Sequence, residues 1–289
     1  MKRFVLLLAA VLGVRISGAY PAPVQTPDAD KFSAVVQKAL DYCRRLDKAA
    51  LDFICTEYVE EAVNRASRPA ATAVTLNIMG GTYIKPAPPD AFKTTYYLYD
   101  YQFIRKGGEV KERRDLMEKD GAKVAKADAA PETKHFKFRD ILFGASVLLG
   151  EGAAPKYEYT LAGESKIQGD PIVVVTCAAR PELAGKELTG QASIRVRDGA
   201  VLKIDWDPES FGGYEEVLAV AEGLRMTPKI RSSTEFGVEK NGVRFPSLDV
   251  TEEAYTAGGK SKFVRSTTTI KYKAYKFFTV ETNVDIKQP

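Results

Sequence analysis

Histidine is almost missing from this chain, with His135 the single one in 289 residues. That excludes a multi-histidine metal centre, and any Ser-His-Asp or Cys-His mechanism would depend on this one imidazole. Its neighbours Lys134 and Lys137 make a basic stretch, in which it reads as an exposed side chain rather than a base. Glycine pairs start at Gly80, Gly107, Gly212 and Gly258, but none has the lysine and strand-loop-helix setting of a phosphate cradle. The paired carboxylates Glu60-Glu61, Glu215-Glu216 and Glu252-Glu253 are adjacent in sequence. In strands such neighbours face opposite ways and cannot act on one substrate, so they read as solvated charges. An internal repeat, a heptad and a Pro/Gly-rich linker are also lacking. These absences leave no identifiable catalytic centre, metal site or cofactor, and one domain over 20–289.

What is present begins with Lys2 and Arg3, the apolar run Phe4 to Val14 and the small residues Ser17-Gly18-Ala19. This is the pattern of a cleavable signal peptide over residues 1–19. The run falls short of the roughly 20 apolar residues that a helix needs to cross a bilayer, and nothing longer follows. With no cysteine near the cut, a lipid-modified amino terminus is excluded. The expected location is periplasmic or secreted. The chain carries 42 Lys and Arg against 38 Asp and Glu, and removal of Lys2, Arg3 and Arg15 leaves 39 against 38. The apparent basic bias vanishes with the leader, and with it any compositional case for nucleic acid.

Three cysteines remain for an oxidising compartment. Cys43 falls near the end of a helical pattern and Cys55 in the strand pattern that follows. A bridge between them would staple helix to sheet and stabilise by roughly 3 kcal/mol. Cys177, in Ile172-Val-Val-Val-Thr-Cys177, reads as a buried strand thiol, a setting in which cysteine is inert.

The spacing of Phe32, Val35, Val36, Ala39, Leu40 and Cys43 predicts an amphipathic helix over 30–47. A strand follows over 51–63, then a small-residue linker at 64–73. Strand patterns next fall at 74–84, 95–105, 109–119, 156–165, 171–179, 191–197, 200–206, 228–239, 242–253 and 262–280. The turn pairs Gly107-Gly108, Asp198-Gly199 and Asn241-Gly242 are favourable hairpin chemistry and imply an antiparallel meander rather than βαβ crossovers. The expected class is therefore mainly β (α+β), a large curved antiparallel sheet or half-barrel with an N-terminal helix and short helical covers. Two stretches interrupt the strands as candidate covers, an apolar plug at 135–150 and a helix-forming segment at 209–224. Arg105, Lys106, Lys111, Arg113 and Arg114 read as a solvated hairpin edge.

The most informative pattern is Tyr97, Tyr99, Tyr101 and Phe103, alternate residues that share one sheet face. The face is either core under the helix or the wall of an apolar concavity, and a cover would let it be both. A second aromatic cluster, Tyr272, Tyr275, Phe277 and Phe278, lies near the end.

Three segments carry a family resemblance. They are Tyr99-x-Tyr101-x-Phe103 before Gly107-Gly108-x-Val110, then Gly163-x5-Gly169-Asp170-Pro171-x-Val173, and Gly190-x2-Ser193-Ile194-Arg195-Val196 followed by Val201-Leu202-Lys203-Ile204. They resemble strands of secreted outer-membrane lipoprotein-sorting proteins. With the leader, first helix and long meander, the whole resembles the LolA-like periplasmic lipoprotein carriers. The resemblance implies a half-open barrel closed by helices around a cavity that takes acyl chains. On this reading the protein is a non-enzymatic binder of a lipid, a lipoprotein acyl chain or a similar apolar ligand. Tyr97, Tyr99, Tyr101 and Phe103 would be the wall, and Phe138, Leu142, Phe143 and Leu148 the cover. The alternatives are an envelope module that binds another protein through the same sheet, and a hydrolase with an unrecognised centre.

Overall fold

A computed structural model describes residues 27–48, 52–66, 91–106, 109–136, 144–258 and 261–278. The leader at 1–19, the strand expected at 74–84, and Phe138, Leu142 and Phe143 lie outside these residues.

Two meanders build the sheet. The first is β1 (Asp52–Asn64), β2 (Phe92–Lys106), β3 (Glu109–Lys119) and β4 (Ala122–Lys126). The second is β5 (Tyr157–Ile167), β6 (Asp170–Ala179), β7 (Gly190–Arg195), β8 (Val201–Trp206), β10 (Arg231–Glu235), β13 (Leu248–Ala257) and β14 (Ser261–Phe278), with the short β9 (Thr227–Pro228) against β13. Antiparallel pairing of β1 with β14 joins the two into one sheet of twelve strands that runs from β4 to β5 without closing. The mainly β class with helical covers is what forms.

Hairpin chemistry explains the sharp reversals. Asn241 and Gly242 both have positive φ, 53° and 74°, as do Asp120 with Gly121 and Gln168 with Gly169. Two left-handed residues in succession give the turn whose twist matches the strands it joins. The run expected as continuous over 228–239 and 242–253 is broken at Gly237 and Pro246. There the chain leaves the main sheet as a separate hairpin of β11 (Val238–Lys240) and β12 (Val243–Phe245). Phe245 of that hairpin packs edge-on against Phe53 of β1, with ring centroids 5.5 Å apart. β4 falls in the Ala/Lys-rich stretch where no strand was expected, and its side chains are all exposed, as suits an edge.

α1 (Pro27–Lys48) buries Val35, Val36, Ala39, Tyr42, Cys43 and Leu46, one apolar stripe. It packs on β6, β12 and α2 (Gly144–Leu149). The Tyr42 hydroxyl accepts the Arg244 amide at 2.7 Å, and Lys38 Nζ donates to the Val196 carbonyl at 3.2 Å. α3 (Tyr214–Leu224) lies at the other end, where Val217, Val220 and Leu224 pack against Tyr255 and Phe263.

The expected Cys43–Cys55 bridge is not formed: all three cysteines are free and buried. The two thiols face different surroundings. Cys43 Sγ donates to the Ala145 carbonyl at 3.5 Å, and the thiol that acts on it is Cys177. Cys55 lies beside Tyr275 and Glu57 on the sheet. Burial pushes the Cys177 thiol up to about 12, so it stays protonated.

Candidate functional site

On the concave face, inward side chains of β1, β2 and β14 form an aromatic half and a polar half. Phe53, Phe103, Tyr275 and Phe277 stack together, Phe53 and Phe103 at 5.3 Å and Tyr275 and Phe277 at 5.6 Å. Next to them a charged group is sealed in. Arg114 Nε donates to Glu57 Oε2 at 2.9 Å and Nη1 to Glu112 Oε2 at 3.1 Å, with the guanidinium 4.7 Å from the centre of the Tyr101 ring. Arg114 is thus buried rather than part of a solvated edge. Burial raises the Glu57 carboxyl, and Arg114 opposes that shift.

Tyr97, Tyr99, Tyr101 and Phe103 are all buried. Two of their hydroxyls hold the segment after β4. The Glu132 amide donates to Tyr99 Oη at 3.1 Å, and Tyr97 Oη donates to the Glu132 carbonyl at 3.3 Å. Glu61 Oε1 then accepts the Lys134 and His135 amides at 2.6 and 3.1 Å. Glu61 was expected in solvent, yet as an inward member of β1 it is buried and fastens this strap to the sheet. Lys119 and Lys126 bind the Glu132 carboxylate at 2.9 and 3.0 Å and lower its pKa.

The strap delivers Phe136 to the rim of a cavity of about 770 Å³. One side is the inner face of β8, β10, β13 and β14. The cover is the strap end, the start of α2, the turn at Pro208 to Gly213 and the first turn of α3. Phe136, Val147, Trp206, Phe211 and Val217 give it apolar walls. Gly144 lets α2 close onto the Trp206 ring, because a Cβ there would meet Trp206 Cζ2 at 2.7 Å.

Its floor is polar. Ser232 and Thr251 share a hydroxyl hydrogen bond of 2.8 Å. Trp206 Nε1 donates to Thr234 Oγ1 at 2.9 Å, and Thr234 Oγ1 donates to Asp249 Oδ2 at 2.6 Å. Asp249 is only 2% exposed, and burial pushes its carboxyl up to about 7. At one end Glu253 accepts from Tyr255 and from Arg265 at 2.7 Å, and His135 Nδ1 stands 3.8 Å from it. Burial lowers the His135 pKa, as does Arg265. Glu253, like Glu61, is buried rather than solvated.

The cavity lining contains none of the four stripe residues. Leu148 is fully buried in the core cluster, while its neighbour Val147 reaches the wall. Trp206, Phe211, Thr234 and Asp249 drew no attention in the sequence. One signal was available: in Leu248-Asp-Val-Thr-Glu-Glu253 the polar members Asp249, Thr251 and Glu253 point inward and Leu248 and Val250 are the less buried ones, the reverse of an ordinary half-buried strand.

No family model matches the chain, and no curated protein matches it. Solved structures do. A LolA superfamily protein from Nitrosomonas europaea is 12% identical with a TM-score of 0.39, over 86% of this chain and 94% of that one. A putative outer membrane lipoprotein-sorting protein domain from Vibrio parahaemolyticus is 11% identical with a TM-score of 0.43, over 86% and 95%. The Pseudomonas aeruginosa MucA/MucB complex matches at 13% identity and a TM-score of 0.23, over 85% and 94%. The first two bear the family names that the strand and turn segments of the sequence resemble. Among the described residues no helix is long and apolar enough to cross a membrane.

Proposed function

We propose that this protein is an exported, non-enzymatic binding protein that holds a lipid, a lipoprotein acyl chain or a similar apolar ligand in the cavity beneath Trp206 and Phe211. The observation that carries this reading is the cavity itself. Its volume of about 770 Å³ lies in the range of small-molecule sites, ~300–1,000 Å³, and its walls are aromatic and aliphatic with a few converging polar groups. Each methylene buried there contributes about 0.8 kcal/mol, so a long chain binds through its body without a charged anchor at the entrance.

The test pairs native mass spectrometry of detergent-free protein with titration of N-phenyl-1-naphthylamine, a neutral apolar fluorophore. Val217→Trp places an indole in the cavity from the solvent-facing cover. The wild type is expected to carry copurified lipid and to bind the fluorophore, and the variant to bind it about tenfold more weakly, a change of about 1.4 kcal/mol. Repeated absence of lipid together with no fluorophore binding would overturn the proposal.

A further inference from the structure

Resting on that reading, we propose that the cavity selects an amphiphile with an anionic head, a carboxylate or a phosphate, which pairs with Arg265 and Lys134 where the strap meets β13 and β14, while its aliphatic body lies along Phe136, Trp206 and Val217. All five residues line the cavity. The Arg265 side chain is 32% exposed, and its Nη1 donates to Glu253 Oε1 at 2.7 Å. A guanidinium offers five N–H donors in a fork that matches the oxygens of a carboxylate or a phosphate. Glu253 and the Tyr255 hydroxyl are its side-chain partners among the described residues. None of its nitrogens is both sealed and unpartnered, so the rest of the fork is open to a group in the cavity.

Lys134 supplies the second charge. Glu61 fixes its amide at 2.6 Å, while its exposed ammonium has no ion pair among the described residues. Lys119 and Lys126, by contrast, are both held by Glu132. Burial lowers the His135 pKa, and Arg265 and Lys134 add to that, so the two cations flank one part of the wall. The carboxylates beside them are already engaged. Glu253 accepts from Tyr255 and Arg265 on Oε1 and from Ser266 on Oε2, and His135 stands against it. Glu61 Oε1 holds the two strap amides. Of the other carboxyls in the lining, Glu216 is exposed on α3 and Asp249 is pushed up to about 7, which weakens its opposition below neutral pH. A hydroxyl or an ester end brings one acceptor without charge, and an ammonium end would add a third cation. An anionic head brings at least two charged acceptors and leaves the chain to the apolar walls.

The experiment uses four probes of one chain length, dodecanoate, dodecyl phosphate, 1-dodecanol and dodecylammonium, each displacing N-phenyl-1-naphthylamine at about pH 6.5, below the Asp249 value. Wild-type protein is expected to release the fluorophore at about tenfold lower concentration of an anionic probe than of the alcohol, with the ammonium weakest. A stronger carboxylate than phosphate assigns a fatty-acid head, and the reverse a phosphate head. The preference for anion over alcohol is then read in Arg265→Gln, which keeps an N–H donor for Glu253 without the charge, and in Lys134→Gln. It should fall in both and nearly vanish in Arg265→Gln. Because the alcohol is the reference, a general loss of binding does not imitate this result. Equal displacement by anions and alcohol in the wild type overturns this inference alone, as does an ammonium that matches the anions or a preference unchanged in both variants. The wild-type order requires no variant, so a folding failure of Arg265→Gln leaves the test in force. Failure of every probe and of the fluorophore overturns the binding reading and this inference with it.

Discussion

Asp249 shows how the burial of one side chain makes stability depend on pH. Its carboxyl titrates near 7 in the fold, above the ordinary value near 4, so the folded state binds this proton more tightly than the unfolded chain does. The stability associated with the neutral form is complete below about pH 4 and is lost as the pH rises through about 7. Asp249→Asn cannot ionise, and the cost it avoids is on the order of 3–4 kcal/mol at alkaline pH. Urea unfolding should find the variant more stable than wild type near pH 8.5, with the gap closing toward pH 4. A gap that is the same at both pH values would mean that burial does not raise this carboxyl above its value in the unfolded chain. Beyond the reversed alternation of Leu248 to Glu253, no property of the sequence around 249 announces this. In Ser232-Ser-Thr-Glu235 polar residues sit on both faces, so alternation cannot tell inside from outside. Glu61 and Glu253 were misjudged for a related reason: a charged residue reads as solvated until the partner that buries it is known, and those partners are the strap amides 73 and 74 positions away and Arg265.

At the scale of elements, local chemistry was legible and continuity was not. The spacing of Val35, Val36, Ala39 and Cys43 located α1 to within three residues at its start and one at its end. What seats the helix is a turn far along the chain. Gly199 has φ +75°, and a Cβ there would strike the Lys38 backbone. Gly199→Ala combines left-handed strain of about 1–3 kcal/mol with that collision, so the helix must lift off the sheet. Gly199→Asn tolerates the backbone angle and keeps the collision. Thermal unfolding should therefore show both variants destabilised, and alanine only modestly more than asparagine. A near-wild-type Asn variant would show that strain and not packing is the cause. Of the plug expected at 135–150, the described apolar residues divide between tasks. Leu148 and Leu149 enter the core, and Phe136 and Val147 reach the cavity. Helical periodicity marks a buried face and does not distinguish core from wall.

For the molecule as a whole the decisive contact is the pairing of β1 with β14. These strands lie about 200 positions apart and run antiparallel from Asp52 opposite Phe278 to Val63 opposite Ser266. Without that pairing the sheet would be two separate meanders, and the strap held by Tyr97, Tyr99 and Glu61 of the first would not be carried to the cavity floor that β8, β10, β13 and β14 of the second provide. Both strands are central, and the inward Glu57, Val59, Thr268 and Ile270 are fully buried. Native-state hydrogen exchange should place the slowest amides in β1 and β14 and the fastest strand amides in β4. Faster exchange in β1 than in β4 would contradict the central role of that pairing.

By itself the sequence determined the class of fold, because alternation, turn pairs and a single helical stripe are local and survive without knowledge of partners. It determined too that no multi-histidine centre could exist. Which aromatic residues face the cavity was decided by the tertiary structure alone. Tyr97 and Tyr99 share a face with everything inward, but the strap they hold occupies that ground, and the open volume falls instead over Trp206 and Asp249. The physical reason is that a strand pattern specifies a side of the sheet, and only the placing of the covering elements decides which part of that side is filled and which is left hollow.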